Sequence, residues 1–234
     1  MADMITHAII LAGGEGTRLR PVTYEIPKPL VPVQGKPILT WQVEWYARAG
    51  VTVVTVIIQP RWKAMFERWS ADQGNTIKIQ LREEREPMGT MGAVVQHQLV
   101  QERAFISNGD QLMRLDLSRL TEMHEAVQGQ ATIGLIEVPN PSDFGVVEMQ
   151  GNHIIRFHEK PATPPTSLIS SGLYVVEPTA FERIDRSKSF LMFEKDLFPS
   201  LAEAGQLGGC TLAGQWYDCG TMERWEKAIK EWQG

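Results

Sequence analysis

Cysteine is nearly absent from this 234-residue chain: Cys210 and Cys219 are the only two, with neither a disulfide framework nor a metal-ligand spacing between them. A reducing, cytoplasmic setting is therefore expected. No apolar run approaches the roughly 20 residues that span a bilayer, so a membrane is not an expected partner. The opening MADMITHAIILAGG carries an acid at Asp3 and only a short apolar run from Ala8 to Ala12, which is not the pattern of a secretory signal. An excess of positive charge is missing too, the formal net charge being -5. Binding to a nucleic-acid backbone rests on clustered Lys and Arg, so nucleic acid is not an expected partner either. One small anion is still allowed, since a site can be basic on an acidic surface. Internal repeats are lacking. Ser70, Ser107 and Ser187 lack a nucleophile-elbow context. His97, His124, His153 and His158 have no ligand-like spacing and read as surface or packing residues.

What is present is an ordinary globular composition, 43% hydrophobic and 22% charged, long enough for one substantial core with an appended subdomain. Ile5–Ala12 reads as a buried strand, 37–49 as a helix with proline early, where its missing N–H does no harm, and Val51–Ile58 as a β-branched central strand. A helix over 61–71, a strand over 76–81, a helix over 91–101 and a strand over 104–107 follow. Then come a helix at Leu117–Val127 and a strand over 131–138. This alternation predicts an α/β fold with a mainly parallel sheet flanked by helices. Past Pro141 the pattern changes. Residues 144–149 and 153–158, joined by Gln150–Gly151–Asn152, read as a hairpin. Beyond it come a strand at Leu168–Val176, a helix over 193–204, strand-like 207–213 and 216–218, and a final amphipathic helix over 222–232. The chain is expected to be a single domain, 1–234, with the hairpin as a lid or subdomain and halves dividing near residue 140.

Two stretches carry chemistry. In ILAGGEGTRLRP, the glycines Gly13, Gly14 and Gly16 allow a sharp turn with inward amides suited to a phosphate, and Arg18 and Arg20 supply bidentate donors. The stretch is not a Walker loop, because no Gly-Lys-Ser/Thr follows. Its spacing is GGxG rather than the GxGxxG of a dinucleotide fold, and no ribose-binding acid stands at the expected distance, which argues against a nicotinamide oxidoreductase. In PKPLVPVQGKP, prolines on both sides of Lys28 present its ammonium from a stiff segment, and a preorganised cation suits a reacting phosphoryl group. GGEGTR and NGD each follow a predicted strand, so both should lie on the rim where ligands bind in such sheets.

The run GGEGTRLRPVTYEIPKPLVPVQGKP strongly resembles the signature of the sugar-1-phosphate nucleotidylyltransferases. The likeness continues in family order through EPMGTMGAV, ISNGD, FGVVEMQGNHIIRFHEKP, SSGLYVVEP and YDCGT, which covers almost the whole chain. It implies a Rossmann-like nucleotide-diphospho-sugar transferase fold, a nucleotide-binding half over about 1–140 and a sugar-phosphate-binding half over about 141–234. It implies a nucleotide site of Leu11, Ala12, Gly13, Gly14, Gly16, Thr17, Arg18, Lys28, Glu86, Gly89, Thr90, Gly92, Asn108 and Gly109. Gly145, Glu159, Lys160, Ser171 and Gly172 would serve the sugar phosphate, and Asp110 and Asp218 would bind Mg²⁺. Arg18, Lys28, Asp110, Lys160 and Asp218 would carry the chemistry.

Each residue has a rival reading. Asp110 could be a turn aspartate capping local amides, Asp218 a cap for the last helix through Gly220–Thr221, Glu159 and Lys160 a solvated pair, and Gly89–Gly92 merely the start of a helix. Cys219 and the helically spaced Trp41, Trp45, Trp225 and Trp232 read as packing residues. The partners implied by the resemblance are a nucleoside triphosphate and a sugar 1-phosphate, which react to give an NDP-sugar and pyrophosphate. The EPMGTMGAV block is most similar to guanylyltransferases acting on mannose 1-phosphate or a manno-heptose 1-phosphate. Thymidylyl or uridylyl transfer to glucose 1-phosphate, or a non-catalytic NDP-sugar sensor, are the alternatives, and Met91 stands where relatives favour small residues. A homo-oligomer is left open. The hexapeptide-repeat extension of many relatives is lacking, so no second activity built on one is expected.

Overall fold

The computed structural model describes residues 4–74, 77–182 and 184–234. In chain order the first elements are strands β1 (His7–Leu11), β2 (Pro32–Val33) and β3 (Lys36–Pro37), helix α1 (Ile38–Arg48), β4 (Val53–Ile58), α2 (Lys63–Ala71) and β5 (Lys78–Glu83). Next are α3 (Gly89–Gln96), β6 (Ala104–Asn108), β7 (Gln111–Leu115), α4 (Leu117–Val127), β8 (Ala131–Glu137), β9 (Gly145–Gln150) and β10 (His153–Glu159). The chain ends with β11 (Leu168–Val176), α5 (Phe198–Glu203), β12 (Leu207–Thr211), β13 (Gly214–Asp218) and α6 (Met222–Glu231). No helix among the described residues is long and apolar enough to cross a membrane.

The chain forms two compact units that interleave in sequence, one of residues 1–5, 86–106 and 116–213, the other of 6–85, 107–115 and 214–234. The expected halves were contiguous, dividing near residue 140; these units cross that point, and one division falls inside β6. The second unit holds the parallel part of the fold, with β1 beside β4 and β4 beside β5 in register from His7↔Val53 and Val53↔Lys78. HAIIL and VVTVII are almost wholly buried, the near-continuous apolar pattern of strands covered on both faces. In the same unit β7 and β13 make an antiparallel ribbon running from Gly214↔Leu115 to Asp218↔Gln111. α6 closes onto it: Trp232, Cys219, Leu112, Ile38 and Val33 bury together, with Trp41 edge-on to Trp232 at 5.7 Å. Trp41, Trp225 and Trp232 are thus packing residues, as their helical spacing implied.

The first unit runs β6-β11-β8-β12-β10-β9. There β8 and β12 pair in parallel, whereas β11 with β8, β10 with β12 and β9 with β10 are antiparallel. The hairpin stands where its turn residues put it. Leu168–Val176 and Leu117–Val127 match their predicted bounds. Three expectations shift. The helix expected over 91–101 begins at Gly89 and stops at Gln96, because Gln98 turns left-handed at φ 47°. The helix over 193–204 opens as a π-turn, Phe193–Leu197, before α5. The strand over 76–81 starts at Lys78; Thr76 lies outside the described residues. β7 was not foreseen, since its residues follow directly on the NGD turn.

Candidate active site

In the second unit the glycine loop leaves the end of β1 and folds over Lys28. Gly16 has φ +64°, and a side chain there would meet Thr23 at 2.9 Å and Lys28 Cβ at 3.3 Å, so the loop closes this tightly only as glycine. Its carbonyl accepts the Thr23 hydroxyl at 2.7 Å. Gly13 accepts from Gln59 at 2.6 Å, while Gly14 is open on its exposed side. Thr17 and Arg18 are exposed on a 3₁₀ turn anchored by buried Leu19. Arg20, read as a second phosphate donor, lies instead over the Tyr24 ring at 5.0 Å.

Lys28 is only 7% exposed, and its ammonium is hydrogen-bonded to the Asp110 carboxylate. The NGD turn is tied to the loop side of the unit, since Gly109 N–H donates to the Leu11 carbonyl at 2.9 Å. Gln42 fixes the turn from below, donating to the carbonyls of Asn108 and Gln111 at 2.9 and 2.5 Å. Asp110 is therefore no mere turn aspartate: its carboxylate takes Lys28, and its carbonyl accepts from Cys219 N–H at 3.1 Å.

That bond, together with the register of β7 on β13, places Asp218 beside the same turn. Asp218 does not cap α6; the Thr221 hydroxyl does, accepting from Arg224 N–H at 3.3 Å. The Arg224 side chain reaches back to Asp218 Oδ2 at 2.5 Å. A side chain on Gly220 would collide with Asp218 Oδ1 at 2.7 Å and with Arg18 Nη2 at 3.1 Å, so both groups crowd one point. The Cys219 thiol senses both carboxylates. Burial pushes it up to about 12, the charges of Asp110 and Asp218 add to the rise, and Lys28 opposes it. It is an inert packing thiol.

The second unit thus holds two carboxylates on one ribbon end, each with its own cation. Among the described residues no cluster of three or more His, Cys, Asp or Glu could cage a metal. Two carboxylates are the protein share of a Mg²⁺ shell that phosphate oxygens and water complete, so the donor set fits that ion and does not fit a structural metal.

The remaining expected residues lie in the first unit. Gly89 and Thr90 do open α3, yet they are also docked. Gly89, at φ +78°, passes so close to Leu191 that a Cβ would stand 2.3 Å from its carbonyl oxygen. Glu86 is exposed ahead of this turn. Glu159 ends β10 opposite Gly145 and pairs with Lys160 at 3.2 Å; the Lys160 side chain is 62% exposed. By geometry alone Lys160 is a solvated end paired to a Glu159 side chain that is only 19% exposed, held in place by Lys160 N–H donating to the Phe144 carbonyl at 3.1 Å. Gly172 sits in a bulge of β11, where the register with β8 shifts between Ser170 and Tyr174, and its φ is 72°. Ser171 is fully buried and its hydroxyl donates to the Gly134 carbonyl at 2.7 Å, so that hydroxyl is committed inside the protein.

Sequence reasoning missed Arg224 and Glu194. An arginine three residues past a helix cap offered a signal for the first, since that position faces back toward the preceding strand. Glu194 gave none; it meets Thr90 across more than a hundred positions. Its carboxyl is pushed up by burial, with Glu159 adding to the rise and Thr90 and Lys160 opposing it.

Residues 7–233 match the family model described as nucleotidyl transferase. A mannose-1-phosphate guanyltransferase beta-A of Xenopus laevis is 37% identical over 221 residues, covering 91% of this chain and 61% of that protein. A mannose-1-phosphate guanylyltransferase of Mycobacterium tuberculosis is 36% identical over 231 residues, covering 94% of this chain and 63% of that one. The chain thus spans about three-fifths of the length of these curated relatives. A crystal structure assigned as a glucose-1-phosphate thymidylyltransferase from Bacillus anthracis, in complex with a sucrose, superposes with a TM-score of 0.86 at 25% identity, covering 96% of this chain and 94% of that one. With a family match running nearly end to end, the chain belongs to the nucleotidyl transferase family.

Proposed function

We propose that this protein transfers a nucleotidyl group from a nucleoside triphosphate to a sugar 1-phosphate, giving an NDP-sugar and pyrophosphate, with GTP and mannose 1-phosphate as the foremost pair. The observation that carries the reading is the cluster of the second unit: Lys28 on Asp110, Arg224 on Asp218, and Arg18 beside Asp218 under an open glycine loop. A phosphate oxygen of the sugar 1-phosphate attacks the α-phosphorus, and the bond from that phosphorus to the oxygen bridging to the β-phosphate breaks. The electron pair leaves with pyrophosphate. No protein nucleophile is required, and the demand on the protein is alignment and neutralisation of two anions.

The chain's own residues meet that demand as follows. The amides of Gly13 and Gly14 and the Arg18 guanidinium receive the triphosphate. Lys28, held stiffly between prolines, supplies a cation that need not reorganise as charge builds on the leaving group. Asp110 and Asp218 would hold Mg²⁺, whose chemistry is to draw charge from phosphate oxygens during displacement. Arg224 keeps the Asp218 carboxylate in one orientation. In the first unit, Lys160 takes the sugar phosphate and Glu159 accepts from sugar hydroxyls. The proposed setting is the cytoplasm.

GTP and mannose 1-phosphate come first because the curated relatives carry that activity in their names. Thymidylyl transfer to glucose 1-phosphate is the second reading, favoured by the superposed thymidylyltransferase. The test is a matrix of five triphosphates against mannose, manno-heptose and glucose 1-phosphates, read by pyrophosphate release with Mg²⁺ and with chelator. Release greatest with GTP and mannose 1-phosphate, and abolished by chelation, is the expected result. No release from any pair would leave a binding protein rather than an enzyme.

A further inference from the structure

The turn that opens α3 is tied to a distant segment by four hydrogen bonds. Leu191 N–H donates to the Met88 carbonyl at 2.9 Å, and Met91 N–H donates to the Leu191 carbonyl at 3.0 Å. Thr90 completes the set: its hydroxyl accepts from Phe193 N–H at 3.1 Å and donates to Glu194 Oε2 at 2.7 Å. The Thr90 hydroxyl is thereby committed within the protein. What the turn has left to offer a ligand is its backbone, whose course depends on what holds it.

The holder is rigid. Glu194 belongs to the π-turn Phe193–Leu197, a rare geometry that recurs at functional sites. Asp196 closes that turn by accepting Met192 N–H at 2.8 Å. Phe193 is fully buried, with its ring 5.7 Å from those of Tyr174 and Phe198. Glu194 is thus presented to Thr90 from a platform with little freedom to shift. A surface tether between two loops would not need such support.

We infer that Glu194 is a positioning residue for nucleobase selection, latching Thr90 so that the backbone of Gly89–Gly92 stays in the one course that matches the base. This rests on the functional reading above and on the family resemblance, which counts Gly89, Thr90 and Gly92 in the nucleotide site. Burial raises the Glu194 carboxyl, and the Thr90 hydroxyl opposes that rise by donating to it. The latch predicts a separation of effects: selection among bases depends on it, and use of the sugar phosphate does not.

The experiment measures kcat/KM for the preferred triphosphate and its best competitor, at saturating mannose 1-phosphate, in the full chain and in Glu194→Ala, Glu194→Gln, Thr90→Val and the Glu194→Ala/Thr90→Val double variant. Loss of the latch should lower the selectivity ratio by about tenfold, the weight of one buried hydrogen bond. Thr90→Val, which also strands the Phe193 amide, should lose at least as much as Glu194→Ala, and the double variant should lose no more than Thr90→Val. Glu194→Gln, which keeps the acceptor, should retain the wild-type ratio, and KM for the sugar phosphate should stay within about twofold in all of them. Should Glu194→Ala fold poorly, the near-isosteric Thr90→Val and Glu194→Gln carry the test. An unchanged ratio, additive losses, a glutamine as damaging as alanine, or a sugar-phosphate KM rising in step with that of the triphosphate would each overturn the latch. A wild-type protein that releases no pyrophosphate from any pair overturns the functional reading as well. One that discriminates among bases, with Glu194→Ala discriminating equally, overturns the latch alone.

Discussion

The Lys28–Asp110 pair joins stability to chemistry in one contact. Lys28 is almost fully buried while about a third of the Asp110 side chain is exposed, so removing the carboxylate strands an ammonium inside the protein. Asp110→Asn should therefore cost about 2 kcal/mol of stability, below the range for a fully buried pair, and lower turnover by about 100-fold or more. Adding Lys28→Met should restore the unfolding midpoint in urea and leave turnover as low as before. A double variant that regains activity would remove both residues from the reaction. These two residues were legible in the sequence because proline fencing and the NGD turn mark them locally. Glu194 was not, because its partner Thr90 lies about a hundred residues away, and Arg224 was signalled only by its place three residues past the cap of α6. Ser171 shows the opposite failure. Its motif places it beside Gly172, but the alternation of a buried strand turns its hydroxyl to Gly134.

Among the elements, α4 is the plainest case of local sequence deciding local structure. Asp116 accepts from Arg119 N–H at 3.0 Å and caps the helix that begins at Leu117. Asp116→Ala should cost about 1 kcal/mol. The Ser118 hydroxyl, followed by the Arg119 amide, holds the Asp116 carboxyl below its ordinary value. A carboxyl lowered by folding contributes stability above its unfolded value and loses it as pH falls through the folded one. The deficit of the alanine variant should thus be constant from neutral pH down to about pH 4 and shrink in stronger acid, as followed by urea unfolding across that range. A deficit independent of pH would mean that the side chain works by packing. The predicted bounds of α4 and β11 held because each is marked by its own residues, a cap for α4 and apolar residues at both ends of LISSGLYVV for β11. The α3 boundary slipped because apolar Leu99 and Val100 extend the helical pattern, although Gln98 has already left the helix.

For the whole molecule, the parallel strands β1, β4 and β5 could be read from the sequence, but the interleaving of the two units could not. It depends on long-range pairing that no window of residues contains. Binding of a triphosphate with Mg²⁺ should raise the thermal midpoint by roughly 5 to 10 °C at about a hundredfold excess over the dissociation constant. Lys160→Ala, whose role is with the sugar phosphate, should show the same rise, whereas Asp218→Asn should lose most of it. A full rise in Asp218→Asn would exclude that carboxylate from the ion. The second unit is assembled from residues 6–85, 107–115 and 214–234, and Asp218, Arg224 and Trp232 all belong to its last stretch. Asp110 is therefore synthesised well before Asp218, and the pair of carboxylates exists only once β13 has returned to β7. A chain that has emerged only as far as β7 thus carries the glycine loop and Asp110 but neither Asp218 nor Arg224.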